Sequence, residues 1–226
     1  MIENIQNQIE AQEISLPSRG RFSGRLSVGA AAFSGKLFIL GGYPFNNDTD
    51  YDDCYDPKDD DATDKIDIFD PTTTLFREDE NGFNLESMME GRAGPGVCAL
   101  DGKLYVIGGH SQHELYGQGT DDCDIMVTKS SVECFHFEGN DLVRSTVAPM
   151  NTRRMKPAVA GYNGKLYVIG GLEDVDPVQH TYSDSIEVYD PANNTWTTLN
   201  EKLTGGRMMS NACLIDRRLA RKHLRS

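Results

Sequence analysis

Short apolar runs recur along the chain, each closed by small turn residues. LFIL (Leu37 to Leu40), LYVI (Leu104 to Ile107) and LYVI (Leu166 to Ile169) each follow Gly-Lys and end in Gly-Gly. Runs of four to eight apolar residues bounded by glycine predict β-strands. Upstream stand VGAAAFSGKLF from Val28, GVCALDGKLY from Gly96 and AVAGYNGKLY from Ala158. Each reads as a strand, a tight turn at Ser-Gly, Asp-Gly or Asn-Gly, and a second strand. Asp-Gly and Asn-Gly favour a two-residue hairpin because both turn positions need positive φ. Downstream stand KIDIFDPTTTLF (Lys65 to Phe76), SVECFHFEGNDL (Ser131 to Leu142) and SIEVYDPANNTW (Ser185 to Trp196), which align without gaps. Each predicts a third strand, a polar turn and a fourth strand.

The unit is therefore a four-stranded antiparallel meander, written three times. The first Gly of the shared octad falls at Gly35, Gly102 and Gly164. Such periodicity marks a repeat architecture. A single meander cannot bury both faces, whereas meanders packed face to face around an axis can.

The repeat resembles the kelch repeat. The resemblance rests on the double glycines Gly41-Gly42, Gly108-Gly109 and Gly170-Gly171. It rests also on the aromatic series Phe69, Phe135 and Tyr189, and on Phe76, Leu142 and Trp196 seven residues further on. The first two repeats depart from the pattern by replacing Trp with Phe76 and Leu142. The fold expected is all-β: a kelch β-propeller segment of three complete blades, with partial blades at both ends. Residues 1–19 form an N-terminal segment read as the last strand of a partial blade. The kelch region runs over 20–216, and 217–226 form a basic tail outside the pattern. Propellers typically have four to eight blades, so three should not close alone. Either the sequence is a piece of a longer protein or two chains pair, and the aberrant run after Asp216 favours the first.

Strand alternation puts the second-to-third connections and the blade junctions at one end of the sheets. The long connections, about Tyr43 to Asp64, His110 to Lys129 and Leu172 to Asp184, are spent there, where binding usually resides. Tyr43 and His110 open two of them and are expected to touch a partner. Arg25, Arg92, Arg154 and Arg207 occupy equivalent places before each first strand. Resemblance to kelch-like substrate receptors implies that such arginines line a central pocket and grip an acidic peptide. The alternative is that each bonds loop carbonyls within its own junction.

Composition narrows the function classes. The formal net charge is -13, which opposes binding to nucleic acid or to anionic membrane surfaces. Asp48, Asp50, Asp52, Asp53, Asp56, Asp59, Asp60, Asp61 and Asp64 crowd the first long connection. The first three mimic the start of a calcium loop, but Asp53 stands where Gly is needed and Pro57 interrupts. His110, His113, Asp121 and Cys123 match no zinc spacing. No metal or cofactor is therefore expected. Nucleophile elbow, P-loop, dinucleotide fingerprint and HExxH are all lacking from the sequence, so no catalytic residue is assigned. The five cysteines form no CxxC pair, which fits a reduced, cytoplasmic setting. The function expected is a protein-interaction module. The kelch-like adaptors that the third repeat resembles add a BTB and BACK region and serve a cullin ubiquitin ligase. The alternatives are an actin-associated or scaffold kelch protein, and a metal-dependent kelch enzyme.

Overall fold

The computed structural model describes residues 24–44, 62–73, 75–77, 87–113, 125–176, 179–208 and 212. The segment 1–19, the aspartate-rich stretch from Asp48 to Asp61, Asp121, Cys123 and the tail 217–226 lie outside them. The described chain forms three four-stranded antiparallel sheets. The first holds β2 (Gly29–Phe33), β3 (Lys36–Leu40), β5 (Ile66–Asp70) and β6 (Leu75–Arg77). The second holds β7 (Gly96–Leu100), β8 (Lys103–Ile107), β11 (Val132–Glu138) and β12 (Asp141–Thr146). The third holds β13 (Ala158–Tyr162), β14 (Lys165–Ile169), β17 (Ile186–Asp190) and β18 (Thr195–Thr198). In each sheet the four strands pair in chain order, as a meander should. They are the three blades that the repeat predicts. Of the expected partial blades, only short pieces around Arg25 and Arg207 fall among the described residues.

The two-residue turns are built as expected. Ser34-Gly35, Asp101-Gly102 and Asn163-Gly164 all have positive φ at both positions, the geometry that matches strand twist in a tight hairpin. The double glycines have a different purpose. Both members of each pair have positive φ, and a Cβ at Gly108 would stand 2.3 Å from the Arg154 carbonyl oxygen. Glycine is thus required for the junction backbone to approach the sheet.

Apolar side chains fill the space between sheets. Phe38, Leu40, Ile66 and Ile68 of the first sheet pack on Leu104, Val106, Phe135 and Leu142 of the second. Tyr105, Ile107, Val132 and Cys134, on the opposite face of the second sheet, pack on Leu166, Val168 and Tyr189 of the third. Strand parity explains the split, because neighbours along a strand point to opposite faces. Phe69, unlike its equivalents Phe135 and Tyr189, is only half-buried. Its side of the first sheet faces away from the second. Phe76 pairs with Phe69 across β5 and β6.

The third sheet also shows why its last turn carries Asn and its outer strand Trp. Trp196 is half-buried against the second core cluster and tilts over Tyr189 at 5.0 Å between ring centroids. Its indole N–H donates to the Ala148 carbonyl at 2.8 Å. Asn194 accepts from the Ala148 N–H and from the Tyr189 hydroxyl, both at 2.8 Å. The second-to-third-blade junction is thereby fastened to the blade that follows it.

Two of the expected long loops are not irregular where they leave the sheets. β9 (His110–His113) pairs with β10 (Ile125–Thr128), and β15 (Leu172–Asp176) with β16 (Gln179–Tyr182). Each pair is a ribbon in which the connection satisfies its own backbone hydrogen bonds. A shorter pair joins β1 (Arg25–Leu26) to β4 (Tyr43–Pro44).

Candidate functional site

The junction arginines are held by a repeated backbone pattern. Arg92 donates its N–H to the Thr63 carbonyl, and its own carbonyl accepts from the Gly42 N–H. Arg154 does the same with Lys129 and Gly109, and Arg207 with Ser183 and Gly171. The guanidinium of Arg92 is fully buried. It donates to the Gly108 carbonyl at 2.8 Å, the Ser131 carbonyl at 3.1 Å and the Glu133 carboxylate at 2.7 Å. Arg154, equally buried, donates to the Gly170 carbonyl at 2.8 Å, the Ser185 hydroxyl at 2.9 Å and the Glu187 carboxylate at 2.6 Å. Arg25 pairs with Asp67 and donates to the Lys65 carbonyl at 3.1 Å. Burial lowers the Arg25 pKa, and the adjacent Asp67 carboxylate works against that shift.

This corrects the expectation that Arg25, Arg92 and Arg154 reach an acidic ligand. A guanidinium with no exposed surface, already holding a carboxylate, has nothing to offer a peptide. Of the two sequence readings, local bonding describes these three, with an acid added that neither reading included. Arg207 alone is exposed.

The acids are the missed residues. Asp67, Glu133 and Glu187 stand at one position of the third strand, in KIDIF, SVECF and SIEVY. The signal was an acid on an otherwise apolar strand, recurring with the repeat. Each glutamate does two jobs. Its carboxylate neutralises the arginine and also accepts backbone N–H groups from the incoming junction. Glu133 takes Met89 at 2.8 Å. Glu187 takes Asn151 at 2.7 Å and Thr152 at 3.1 Å. Burying an ion pair is tolerable when its remaining hydrogen-bonding capacity is met in this way.

His110 also departs from expectation. It is buried at 3% exposure and sits edge-on to Tyr43, ring centroids 5.6 Å apart. The pair joins the first blade to the second beneath the ribbons, so the His110 ring is not open to a partner. Tyr43 is half-buried.

The ribbons themselves supply the accessible surface. β10 lies beside β15, so the connections of the second and third blades form one surface. Tyr182 on β16 is 58% exposed. Glu173 on β15 keeps its side chain 26% exposed while standing 3.6 Å from Arg154. Cys98 and Cys134 are free thiols whose pKa is raised by burial. They lie in the second sheet, away from this surface.

Known proteins match the same residues. The kelch motif is matched at 91–141 and 153–202, the second and third blades. N-acetylneuraminate epimerase of Pasteurella multocida is 44% identical over 111 residues, covering 49% of this chain and 25% of that protein. Kelch-like protein 38 of Danio rerio is 31% identical over 121 residues, covering 51% of this chain and 17% of its own length. Human Kelch-like protein 23 is 23% identical over 217 residues, covering 82% of this chain and 34% of its own length. The chain thus spans about a third or less of each of these relatives. With the motif matched in two blades and the first built to the same plan, the chain carries kelch repeats.

Proposed function

We propose that the chain is a protein-interaction module whose binding surface is the pair of ribbons β9–β10 and β15–β16, with Tyr43 at its base. The observation that supports this is their placement. The connections converge side by side on a sheet scaffold held by buried ion pairs. Rigid support beneath variable connections is a common way to build a binding surface. The burial of three junction arginines removes the main reason to expect an acidic peptide. A net charge of -13 favours a basic segment of the partner. The likeness to kelch-like proteins supports a role as the substrate-recognition part of a cullin ubiquitin ligase adaptor, in a cytoplasmic setting. The cullin-contacting region of such adaptors lies outside the kelch repeats.

The test is affinity purification of the tagged chain beside two variants, Glu173→Gln and Tyr182→Ala. Partners that disappear with both variants, while thermal stability is kept, support the reading. Partners retained by both variants would refute the ribbon surface. A second reading, carried by the 44% identity to a sugar epimerase, is that the fold acts on a small sugar acid. Incubation with N-acetylneuraminate, followed by NMR of the anomers, separates the two. No faster interconversion than in buffer is expected, and acceleration would put the enzyme reading first.

A further inference from the structure

The backbone just before each first strand repeats one unusual feature. Ser27, Gly94 and Lys156 occupy equivalent places, each following its junction arginine by one intervening residue. All three have positive φ, at 55°, 58° and 50°. The Gly94 N–H donates to the Ser27 carbonyl at 2.6 Å, and the Lys156 N–H to the Gly94 carbonyl at 2.7 Å. One row of backbone bonds thus links successive junctions. Ala93 and Met155, just before Gly94 and Lys156, bridge to His110 and Leu172, where the ribbons begin. The first strands themselves are neighbours from sheet to sheet, β2 beside β7 and β7 beside β13. The row therefore runs along the inner rim of the surface that carries the ribbons.

The fold asks for a left-handed residue at this place, and glycine adopts that conformation without strain. Lysine does not. At Lys156 the backbone requirement runs against the residue present, so the reason for a lysine has to be sought in its side chain. That side chain lies over the neighbouring junction. A Cβ on Gly94 would stand 2.7 Å from Lys156 Cγ and 3.3 Å from its Cε, so the glycine of the second blade makes room for the lysine of the third. The charge at the end of the stem is not met. Lys36, Lys129 and Lys165, the other half-buried lysines among the described residues, pair with Asp70, Glu90 and Asp190. Lys156 is half-buried too, yet among the described residues its ammonium has neither a carboxylate nor a hydrogen-bond acceptor. A chain with a net charge of -13 has many acids, and none is placed here.

We infer that Lys156 holds the carboxylate of a small ligand, a sugar acid, at the inner rim of the ribbon surface. The inference rests on the sugar-acid reading of the function and assigns the residue that binds the ligand's charged end. A lysine ammonium is a compact point charge on a flexible stem. It can follow a small carboxylate arriving beside the ribbons, where the guanidinium groups of Arg92 and Arg154 are already closed on glutamates.

Titration of N-acetylneuraminate and of its methyl ester into the full chain, read by ligand-observed NMR, tests this. The free acid should bind, and the ester, which lacks the charge, should bind about tenfold more weakly or worse. Lys156→Gly should weaken binding of the free acid by a similar factor, with a thermal midpoint no lower than that of the parent chain, because glycine suits the positive φ. Lys156→Arg should keep most of the binding. Equal binding of the acid by the parent chain and by Lys156→Gly overturns the inference and leaves the sugar-acid reading standing. No binding by the parent chain overturns both. If the parent chain ignores the sugar acid while Lys156→Gly releases a captured protein, the lysine serves a protein carboxylate and the inference falls.

Discussion

Glu133→Ala offers the sharpest test of what holds the blades in place. The side chain is nearly buried, and its carboxylate neutralises the fully buried Arg92 at 2.7 Å while accepting the Met89 N–H at 2.8 Å. Removing one member of a buried ion pair strands the other charge, which typically costs about 3–5 kcal/mol. The lost acceptor for Met89 adds to the cost, about 1–3 kcal/mol where the N–H stays dry. Arg92 would keep its bonds to the carbonyls of Gly108 and Ser131, but neither carries charge. A loss near 4–5 kcal/mol is therefore expected. Glu187→Ala should cost a similar amount, about 4–5 kcal/mol, because Arg154 retains Glu173 at 3.6 Å while two backbone N–H groups, of Asn151 and Thr152, lose their acceptor. Urea unfolding followed by the fluorescence of Trp196, the single tryptophan, measures both. A double-mutant cycle with Arg92→Met isolates the pair, and the combined loss should fall short of the sum by about 2 kcal/mol or more. A single-variant loss below about 1 kcal/mol, the value of an exposed pair, would refute the reasoning. Strict additivity in the cycle would do the same.

Trp196→Ala should cost about 2–3 kcal/mol by thermal unfolding, below the usual range for a fully buried aromatic, because the ring is half-exposed. A loss below about 1 kcal/mol would mean that the Ala148 bond and the Tyr189 contact matter little. Cys98 and Cys134, with thiol pKa values raised by burial, should react with a disulfide reagent at pH 8 far more slowly than after unfolding in urea. Equal rates would contradict their place in the sheet contact. Asp70 and Asp190 have depressed pKa values, through hydrogen bonds first from Lys36 and Lys165 respectively, and then from Thr72 and the Ala192 N–H. A depressed carboxyl pKa contributes stability above the unfolded-state value and loses it as pH falls through the folded one. Asp190→Asn should therefore be destabilising at pH 6. The difference from the parent should shrink as pH falls below about 4, and a pH-independent difference would exclude this origin.

The repeat, the strand order and the turn chemistry were legible in the sequence because they are local. Asn163-Gly164 specifies its own hairpin, and the alternation around Val188 specifies which side chains share a face. The double glycine marked where each second strand stops, and the close backbone approach it permits shows only in the structure. The fate of the arginines was decided elsewhere. Arg92 and Glu133 are 41 residues apart, and nothing local distinguishes a guanidinium aimed at a ligand from one closed on a glutamate. That choice depends on desolvation, which only packing of one sheet on the next imposes. The burial of His110 against Tyr43 has the same cause, since it needs two blades in contact. Short-range backbone preference thus determined the blade, and long-range burial decided which of its polar residues are structural and which remain open to a partner.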